Sequence, residues 1–156
     1  MSATQEDHPG VIAYPPLIFL GCLLVGLVFH WLLPWPLSPS RPLRILGAGL
    51  ALTAAVLVSS ASRTMRRAGT NVRPDKPSTA IVTTGPFRFT RNPMYLSLCL
   101  LNTGIALLLC SFPPLLMTIV LICVLHCGVI LREEKYLAAK FGPAYLNYQK
   151  SVRRWL

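Results

Sequence analysis

The chain has 156 residues, enough for one domain, and 53% of them are hydrophobic while only 13% are charged. An average soluble protein carries about 25% charged residues, so this composition argues against that class. The formal charge of +10 would suit nucleic-acid binding, but no nucleic-acid-binding module can be recognised, and we expect no nucleic-acid partner.

The first half of the chain contains two apolar stretches long enough to cross a bilayer, which takes about 20 residues. We place these spans near 13–33 and 42–62. The N-terminal sequence MSATQEDHPG has acidic but no basic residues. It therefore lacks the positive region of a cleavable signal peptide, and we expect the first helix to be retained. The proline-rich segment 34–42 is expected to form a short outer loop, with Trp31 and Trp35 at the membrane interface.

A longer loop over 63–93 follows the second span. Its β-branched segment 80–85 is expected to be extended. Asn92 and Pro93 predict the start of the next helix, because Asn is a good N-cap residue and proline is favoured at the first helical position. Helical order is expected to end early in this loop, at the helix-breaking residues Gly69, Pro74 and Pro77.

From Met94 to Leu131 the chain has no Asp, Glu, Lys or Arg residue. This run is too long for one span and suits two, near 94–111 and 114–132, with a hairpin at Pro113-Pro114. A soluble four-helix core is the alternative, but soluble helices show a polar face and these do not. We therefore predict an all-α integral membrane protein with about four transmembrane helices.

The basic residues are unevenly placed along the chain. Only Arg41 and Arg44 lie between the first two spans, and the other thirteen lie in the 63–93 loop or from Arg132 onward. Since cytoplasmic loops carry an excess of Lys and Arg, we expect both termini in the cytoplasm. The same residues would attract anionic lipid head groups.

The C-terminal segment 133–156 is predicted to form an amphipathic helical cap on the membrane surface, broken at Gly142-Pro143, with its basic residues outward. All five cysteines fall within the predicted spans, and their odd number argues against a disulfide framework. Three residues that could bind a metal stand within about one helical turn, but no fourth ligand is apparent and we expect no metal. These residues are Cys123, His126 and Cys127.

Glu133 and Glu134 are the only acidic residues at the end of an apolar span. A solvated helix end with local ion pairs and a site for a cationic, hydroxyl-bearing ligand both explain them. Arg88 and Arg91 suit either phosphate anchors or a ligand site. Tyr95 suits either the aromatic belt of a membrane protein or a pocket wall.

Taken together, these residues resemble a known signature. The sequence TTGPFRFTRNPMYLS, followed after a helical hairpin by Glu-Glu, resembles the isoprenylcysteine carboxyl methyltransferase and phospholipid methyltransferase families of integral membrane methyltransferases. Their shared signature is Gly-x-[Tyr/Phe], then Arg-His-Pro-x-Tyr, then a paired Glu at the cytoplasmic exit of the final helix. The resemblance covers roughly 79–152. The residues at matching places are Gly85, Phe87, Arg91, Pro93, Tyr95, Glu133 and Glu134.

Two positions depart from that signature. Asn92 stands where these families usually have His, and Ser97 stands where Gly is common. An asparagine can form hydrogen bonds with a ligand but cannot transfer a proton. The resemblance therefore implies no catalytic base at position 92, and we assign no catalytic residue.

The resemblance implies S-adenosylmethionine as methyl donor, held by a cytoplasmic cofactor-binding loop and the cytoplasmic ends of the last helices. It implies a lipid or amphipathic acceptor, such as a phospholipid amine or a prenylcysteine carboxylate. Arg91 and the start of the third span would suit the cofactor carboxylate, and the two glutamates its cationic or hydroxyl groups. The implied cofactor-binding residues are Ile81, Val82, Gly85, Phe87, Arg91, Asn92, Pro93, Met94, Tyr95, Glu133 and Glu134.

We expect one membrane methyltransferase domain over 1–156, in which a helix pair, a cytoplasmic loop, a helical hairpin and a C-terminal cap follow one another. A membrane reductase with a nicotinamide cofactor and a non-enzymatic scaffold or transporter are the alternatives. The oligomeric state is open, since the small residues of GAGLALTAA suit contacts with another copy or within the chain. The helix pair, the cytoplasmic loop, the helical hairpin and the C-terminal cap of the domain cover 1–62, 63–93, 94–132 and 133–156.

Overall fold

A computed structural model describes residues 9–33, 35–73 and 76–156 of the protein. Most of the acidic N-terminal segment, Pro34, Asp75 and the predicted helix breaker Pro74 lie outside the described residues. Within the described residues the structure is helical and has no β-strand, apart from an isolated bridge between Pro36 and Ser111.

A single-turn 3₁₀ helix, Gly85–Arg88, precedes the third α-helix, and a π-helical segment, His126–Ile130, joins the fourth to the fifth without a break. The α-helices of the described residues are α1 (Pro15–Leu32), α2 (Arg41–Arg67), α3 (Pro93–Leu108), α4 (Phe112–Leu125), α5 (Leu131–Phe141) and α6 (Pro143–Ser151).

Among the described residues, three helices are long and apolar enough to cross a membrane: Pro15–Leu32, Arg41–Arg67 and the continuous run Phe112–Phe141. The fourth apolar helix, α3, is shorter, and its 16 residues rise about 24 Å against a hydrocarbon core of about 30 Å. The prediction of an all-α integral membrane protein is confirmed.

The helical hairpin turns earlier than predicted. Residues 109–111 form the turn between α3 and α4, with Cys110 at φ 49°. Pro113 and Pro114 instead lie in the first turn of α4, where a missing N–H group leaves no hydrogen bond unmade. Proline ends one helix as readily as it begins the next, so the sequence alone did not locate the turn.

Small residues let α2 and α3 approach closely. A Cβ atom added to Gly104 would lie 2.8 Å from the Gly47 carbonyl oxygen, and one added to Gly47 would lie 2.8 Å from the Gly104 carbonyl oxygen. A Cβ atom on Gly49 would meet nothing within 4 Å. The face of α2 that contains Gly47 therefore packs within the chain, as small residues commonly do in membrane bundles.

A buried amide joins α3 to α4 deep in the bundle. Nδ2 of Asn102 donates to the Pro114 carbonyl oxygen and to Oγ1 of Thr118, both at 2.9 Å. Beyond this point, α4 packs on α1, where Gly26 lies against the backbone of Pro114. These contacts join α3 to α4 and α4 to α1.

The π-helical segment has a partner from the N-terminal region. The backbone N–H of Ile12 donates to the Gly128 carbonyl oxygen at 3.2 Å, and Nη1 of Arg132 donates to the Gly10 carbonyl oxygen at 2.8 Å. Single-turn π segments occur often at functional sites, because they shift the helix that follows. Here the helix that follows is α5, which begins with the two glutamates.

Candidate functional site

A cavity of about 120 Å³ lies where α3 begins and α5 leaves the bundle. Its wall also includes the loop before the 3₁₀ turn and two tyrosines of α6. Ten of the eleven residues singled out from the sequence line it. These are Ile81, Val82, Phe87, Arg91, Asn92, Pro93, Met94, Tyr95, Glu133 and Glu134.

Gly85, the eleventh residue, is not in the cavity lining. It begins the 3₁₀ turn at φ 60°, a conformation in which other residues are strained. A Cβ atom there would lie 2.8 Å from Oγ1 of Thr64 on α2. Gly85 therefore turns the chain against α2, and this turn places the buried side chain of Phe87 in the wall.

Both glutamates point inward, although neighbouring residues on a helix project about 100° apart. Oε1 of Glu133 accepts a hydrogen bond from the Tyr95 hydroxyl at 2.6 Å. Glu134 is only 8% exposed and lies 2.9 Å from Nη1 of Arg91. It also accepts two hydrogen bonds from Arg154, at 2.9 and 2.8 Å. This arrangement is not the solvated helix end considered from the sequence.

Arg91 has an unused donor in the cavity wall. Its side chain is 9% exposed. Within the part of the chain that the structure describes, neither its Nε nor its Nη1 makes a hydrogen bond, although Nη1 lies 2.9 Å from Oε1 of Glu134 as an ion pair. A buried donor without a partner costs about 1–3 kcal/mol. An acceptor group on a ligand would remove that cost.

The first turn of α3 adds to the attraction for an anion. The first backbone N–H groups of an α-helix have no acceptor within the helix and carry partial positive charge. Asn92 occupies the N-cap position as predicted, but its side chain makes no capping hydrogen bond. Together with Nε of Arg91, this helix end suits an anionic ligand group.

Asn92 has a different partner from the ligand expected from the sequence. Its Nδ2 donates to the Arg154 carbonyl oxygen at 3.0 Å, and its backbone N–H donates to Oγ1 of Thr90 at 3.2 Å. The amide therefore holds the C-terminal backbone, although Asn92 still contributes atoms to the cavity wall. Sequence reasoning could not foresee this contact, because the partners are 62 residues apart.

The C-terminal segment is helical as predicted, but Arg154 points inward rather than outward. In α6, Tyr145 is 3% exposed, and the Tyr148 hydroxyl donates to the Phe87 carbonyl oxygen at 2.8 Å. Burial raises the pKa of Tyr145, Glu134 adds to the rise and Arg91 opposes it. Burial also raises the pKa of Tyr148. Both hydroxyls thus stay protonated at neutral pH and remain hydrogen-bond donors.

Sequence reasoning missed several lining residues. Tyr145 and Tyr148 stand three residues apart, and this helical spacing was the available signal for a shared buried face. The loop residues carried no signal, because their place depends on how the loop folds over α5. The missed lining residues include Met65, Thr70, Asn71, Arg73, Ser78, Tyr136 and Leu137.

Cys123 of α4 and the π-helical residues His126 and Cys127 are not assembled as a metal site. Cys123 and Cys127 are exposed, and Nε2 of His126 lies 3.4 Å from Nη1 of Arg154. Among residues 9–33, 35–73 and 76–156, no three His, Cys, Asp or Glu side chains are grouped so as to hold a metal ion.

Comparison with known proteins relates the chain to a family and to a bacterial protein. The model of a family described as phospholipid methyltransferase matches residues 43–144, which is more than half of the chain. The match includes α2, the 3₁₀ turn, α3, α4 and α5, and it ends before Tyr145 and Arg154. An uncharacterized protein of Haemophilus influenzae is 44% identical over 63 residues, which make up 40% of this chain and 100% of that protein.

Proposed function

The chain belongs to the phospholipid methyltransferase family of membrane methyltransferases, and we propose that it transfers a methyl group from S-adenosylmethionine to a lipid or amphipathic acceptor. The proposal rests on one observation: three groups suited to a charged ligand face the same cavity. These are the unpaired Nε of Arg91, the first turn of α3 and the carboxylate of Glu133. The residues implied by the family resemblance supply both the charged and the apolar parts of the wall.

The charged wall fits the polar end of S-adenosylmethionine. Its carboxylate suits Nε of Arg91 and the N–H groups of α3, since both donate hydrogen bonds to anions. Its ammonium or ribose hydroxyls suit Glu133, which keeps acceptor capacity beyond the single bond from Tyr95. Glu134 plays a different part, because its two oxygens already accept hydrogen bonds from Arg154 and it forms an ion pair with Arg91. We propose that it acts on the ligand through Arg91.

The apolar wall fits the rest of the cofactor. Val82 and Phe87 are buried, and Ile81 and Met94 lie beside them in the lining. Such side chains can pack on a flat adenine ring. An aromatic face, such as that of Tyr95, also attracts a positively charged group like a sulfonium.

When bound, S-adenosylmethionine would supply a methyl group whose bond to a positively charged sulfur breaks as an acceptor nucleophile attacks the methyl carbon in line, with S-adenosylhomocysteine as the leaving product. The residues of the chain have two tasks in such a reaction. They hold donor and acceptor in line, and they keep water away from the reacting atoms. The enclosing loop and α6 serve the second task, since Tyr145 and Tyr148 cover the cavity from that side.

The position of the cavity supports an acceptor with an apolar tail. It lies at the ends of α2 and α3 and where the α4–α5 run leaves the bundle, so a membrane lipid can approach from the side. We propose that this end faces the cytoplasm, because the neighbouring loop and C-terminal segment hold thirteen of the 15 basic residues. The polar donor would then arrive from the aqueous side.

Titration with S-adenosylhomocysteine tests the proposal. Detergent-purified wild-type protein is expected to bind it, and Arg91→Ala is expected to bind roughly tenfold to a hundredfold more weakly, as for a lost charged hydrogen bond. Arg88→Ala is the matched control, since it removes the same charge from the same motif at an exposed side chain. Its affinity should match the wild type.

Absence of binding to the wild type would contradict the proposed cofactor. Binding that survives Glu133→Ala together with Glu134→Ala would move the cofactor site elsewhere. The acceptor is tested by radiolabelled methyl transfer into a total lipid extract and, separately, into farnesylated cysteine analogues. Label found only in water-soluble products would contradict a lipid acceptor.

A further inference from the structure

The last residues of the chain return to the start of α3. Two consecutive carbonyl oxygens, those of Arg153 and Arg154, accept three hydrogen bonds from residues 90–92. The donors are the Arg91 backbone N–H at 3.0 Å, the Thr90 hydroxyl at 3.1 Å and Nδ2 of Asn92 at 3.0 Å. We call residues 152–156 the C-terminal strap.

The side chain of Arg154 continues from the strap to α5. Its Nε and Nη2 bond to the two oxygens of Glu134 at 2.9 and 2.8 Å, the bidentate geometry that makes arginine–carboxylate pairs strong. Trp155, the next residue, packs against the buried cluster that contains Leu121 and Leu125. The strap therefore connects the start of α3, α5 and the interior of the bundle.

This arrangement decides what Arg91 can bind. Glu134 receives two hydrogen bonds from Arg154. With Arg91 it forms an ion pair, in which Nη1 lies 2.9 Å from Oε1 but makes no hydrogen bond. Among the described residues, the Nε of Arg91 in the cavity wall has no hydrogen-bond partner. Without Arg154, Glu134 would be free to take Arg91 in a bidentate pair of its own, because a guanidinium fork matches a carboxylate. The Nε would then face Glu134 instead of a ligand.

We propose that Arg154 is a positioning residue that occupies Glu134 and so keeps Nε of Arg91 available to the carboxylate of the ligand. This inference rests on the proposed function, because that carboxylate belongs to the cofactor. It assigns a role to a residue beyond the range matched by the family model, which ends at residue 144.

Two ligands and three variants test the inference. S-adenosylhomocysteine has the carboxylate, and 5′-methylthioadenosine lacks the whole amino-acid part. For Arg154→Ala, we expect S-adenosylhomocysteine affinity to fall roughly tenfold to a hundredfold and 5′-methylthioadenosine affinity to change less than about threefold. Arg154→Lys keeps the charge but loses the bidentate guanidinium geometry, so its affinity for S-adenosylhomocysteine should lie between those of the wild type and Arg154→Ala.

Arg153→Ala is the matched control. It removes the same charge one residue earlier, from an exposed side chain, and keeps the carbonyl that Arg91 bonds to. It should bind both ligands as the wild type does. If Arg154→Ala cannot be recovered folded, Arg154→Lys carries the same comparison of the two ligands.

The outcomes separate the two proposals. Absence of S-adenosylhomocysteine binding to the wild type overturns the proposed function and this inference with it. Wild-type binding with an unchanged affinity in the Arg154 variants overturns this inference alone. An equal loss for both ligands also overturns it, because that pattern means that the strap only supports the fold.

Discussion

The two ends of α3 are built from different contacts. Its first turn lies among hydrogen-bonded and charged side chains, where Tyr95 bonds to Glu133 and Asn92 holds the C-terminal strap. Around Gly104, the same helix packs backbone to backbone on Gly47 of α2. The first region depends on which donors and acceptors are paired. The second depends on how closely two helices approach.

This difference has a physical cause in the bilayer. Lipid tails are as apolar as the helix surfaces, so membrane helices are held together by close packing of small residues and by hydrogen bonds between helices. We therefore expect substitutions near Gly104 to change the free energy of unfolding, and substitutions near Tyr95 to change ligand affinity. The following predictions test that division, in order of expected size.

The largest effect is expected for Gly104→Ala. The added Cβ would lie within 3 Å of two backbone atoms of α2, and overpacking of this kind costs about 1–3 kcal/mol. The free energy of unfolding in mixed micelles measures it. Gly49→Ala is the matched control, since its Cβ would meet nothing within 4 Å. It should be at least as stable as the wild type, because alanine is favoured over glycine inside a helix. Equal stability of the two variants would contradict the close approach of α2 and α3.

The next effect is expected for Gly85→Ala, which belongs to the cavity end. A residue other than glycine at φ 60° costs roughly 1–2 kcal/mol, and its Cβ would collide with Thr64. Adding Thr64→Ala should recover the part of the loss that comes from the collision, as a double-mutant cycle on unfolding will measure. Strict additivity of the two substitutions would mean that they are not in contact.

A smaller effect is expected for Tyr95→Phe. This change removes the hydroxyl that donates to Glu133 at 2.6 Å and keeps the ring. A single hydrogen bond contributes about 0.5–1.5 kcal/mol, so S-adenosylhomocysteine affinity should fall roughly threefold to tenfold. Calorimetric titration with S-adenosylhomocysteine measures this change in affinity. Unchanged affinity would show that Glu133 does not need Tyr95 for its position.

The smallest effect is expected for Asn102→Leu, which keeps the number and branching of the side-chain heavy atoms but loses both hydrogen bonds to α4. Hydrogen bonds between membrane helices average about 0.6 kcal/mol, so a loss of that order in the free energy of unfolding is expected. Ligand affinity should not change, because Asn102 is absent from the cavity lining. A loss of ligand affinity without a loss of stability would contradict the expectation that the Gly104 end of α3 affects stability and the Tyr95 end affects affinity.

Much of the fold could be predicted because it follows from local composition. The apolar runs predicted helices, and the Asn-Pro pair predicted that α3 begins at Pro93. The hairpin turn lies earlier in the chain than predicted, because Pro113 and Pro114 are as suitable for a first helical turn as for a break. The contact of the Asn92 side chain with the C-terminal segment could not be predicted, since the carbonyl that accepts its hydrogen bond belongs to Arg154, 62 residues away.

The sequence by itself determined that the chain is an all-α membrane protein and which residues gather at one end of it. Hydrophobicity and a short motif are local properties, so they can be read without knowing the packing. Only the tertiary structure decided the partners: Gly104 against Gly47, Arg154 on Glu134, and an unpaired Nε on Arg91. Partners distant in sequence meet only after the helices have packed. The unpaired Nε of Arg91 can be identified only when the hydrogen bonds around it are known.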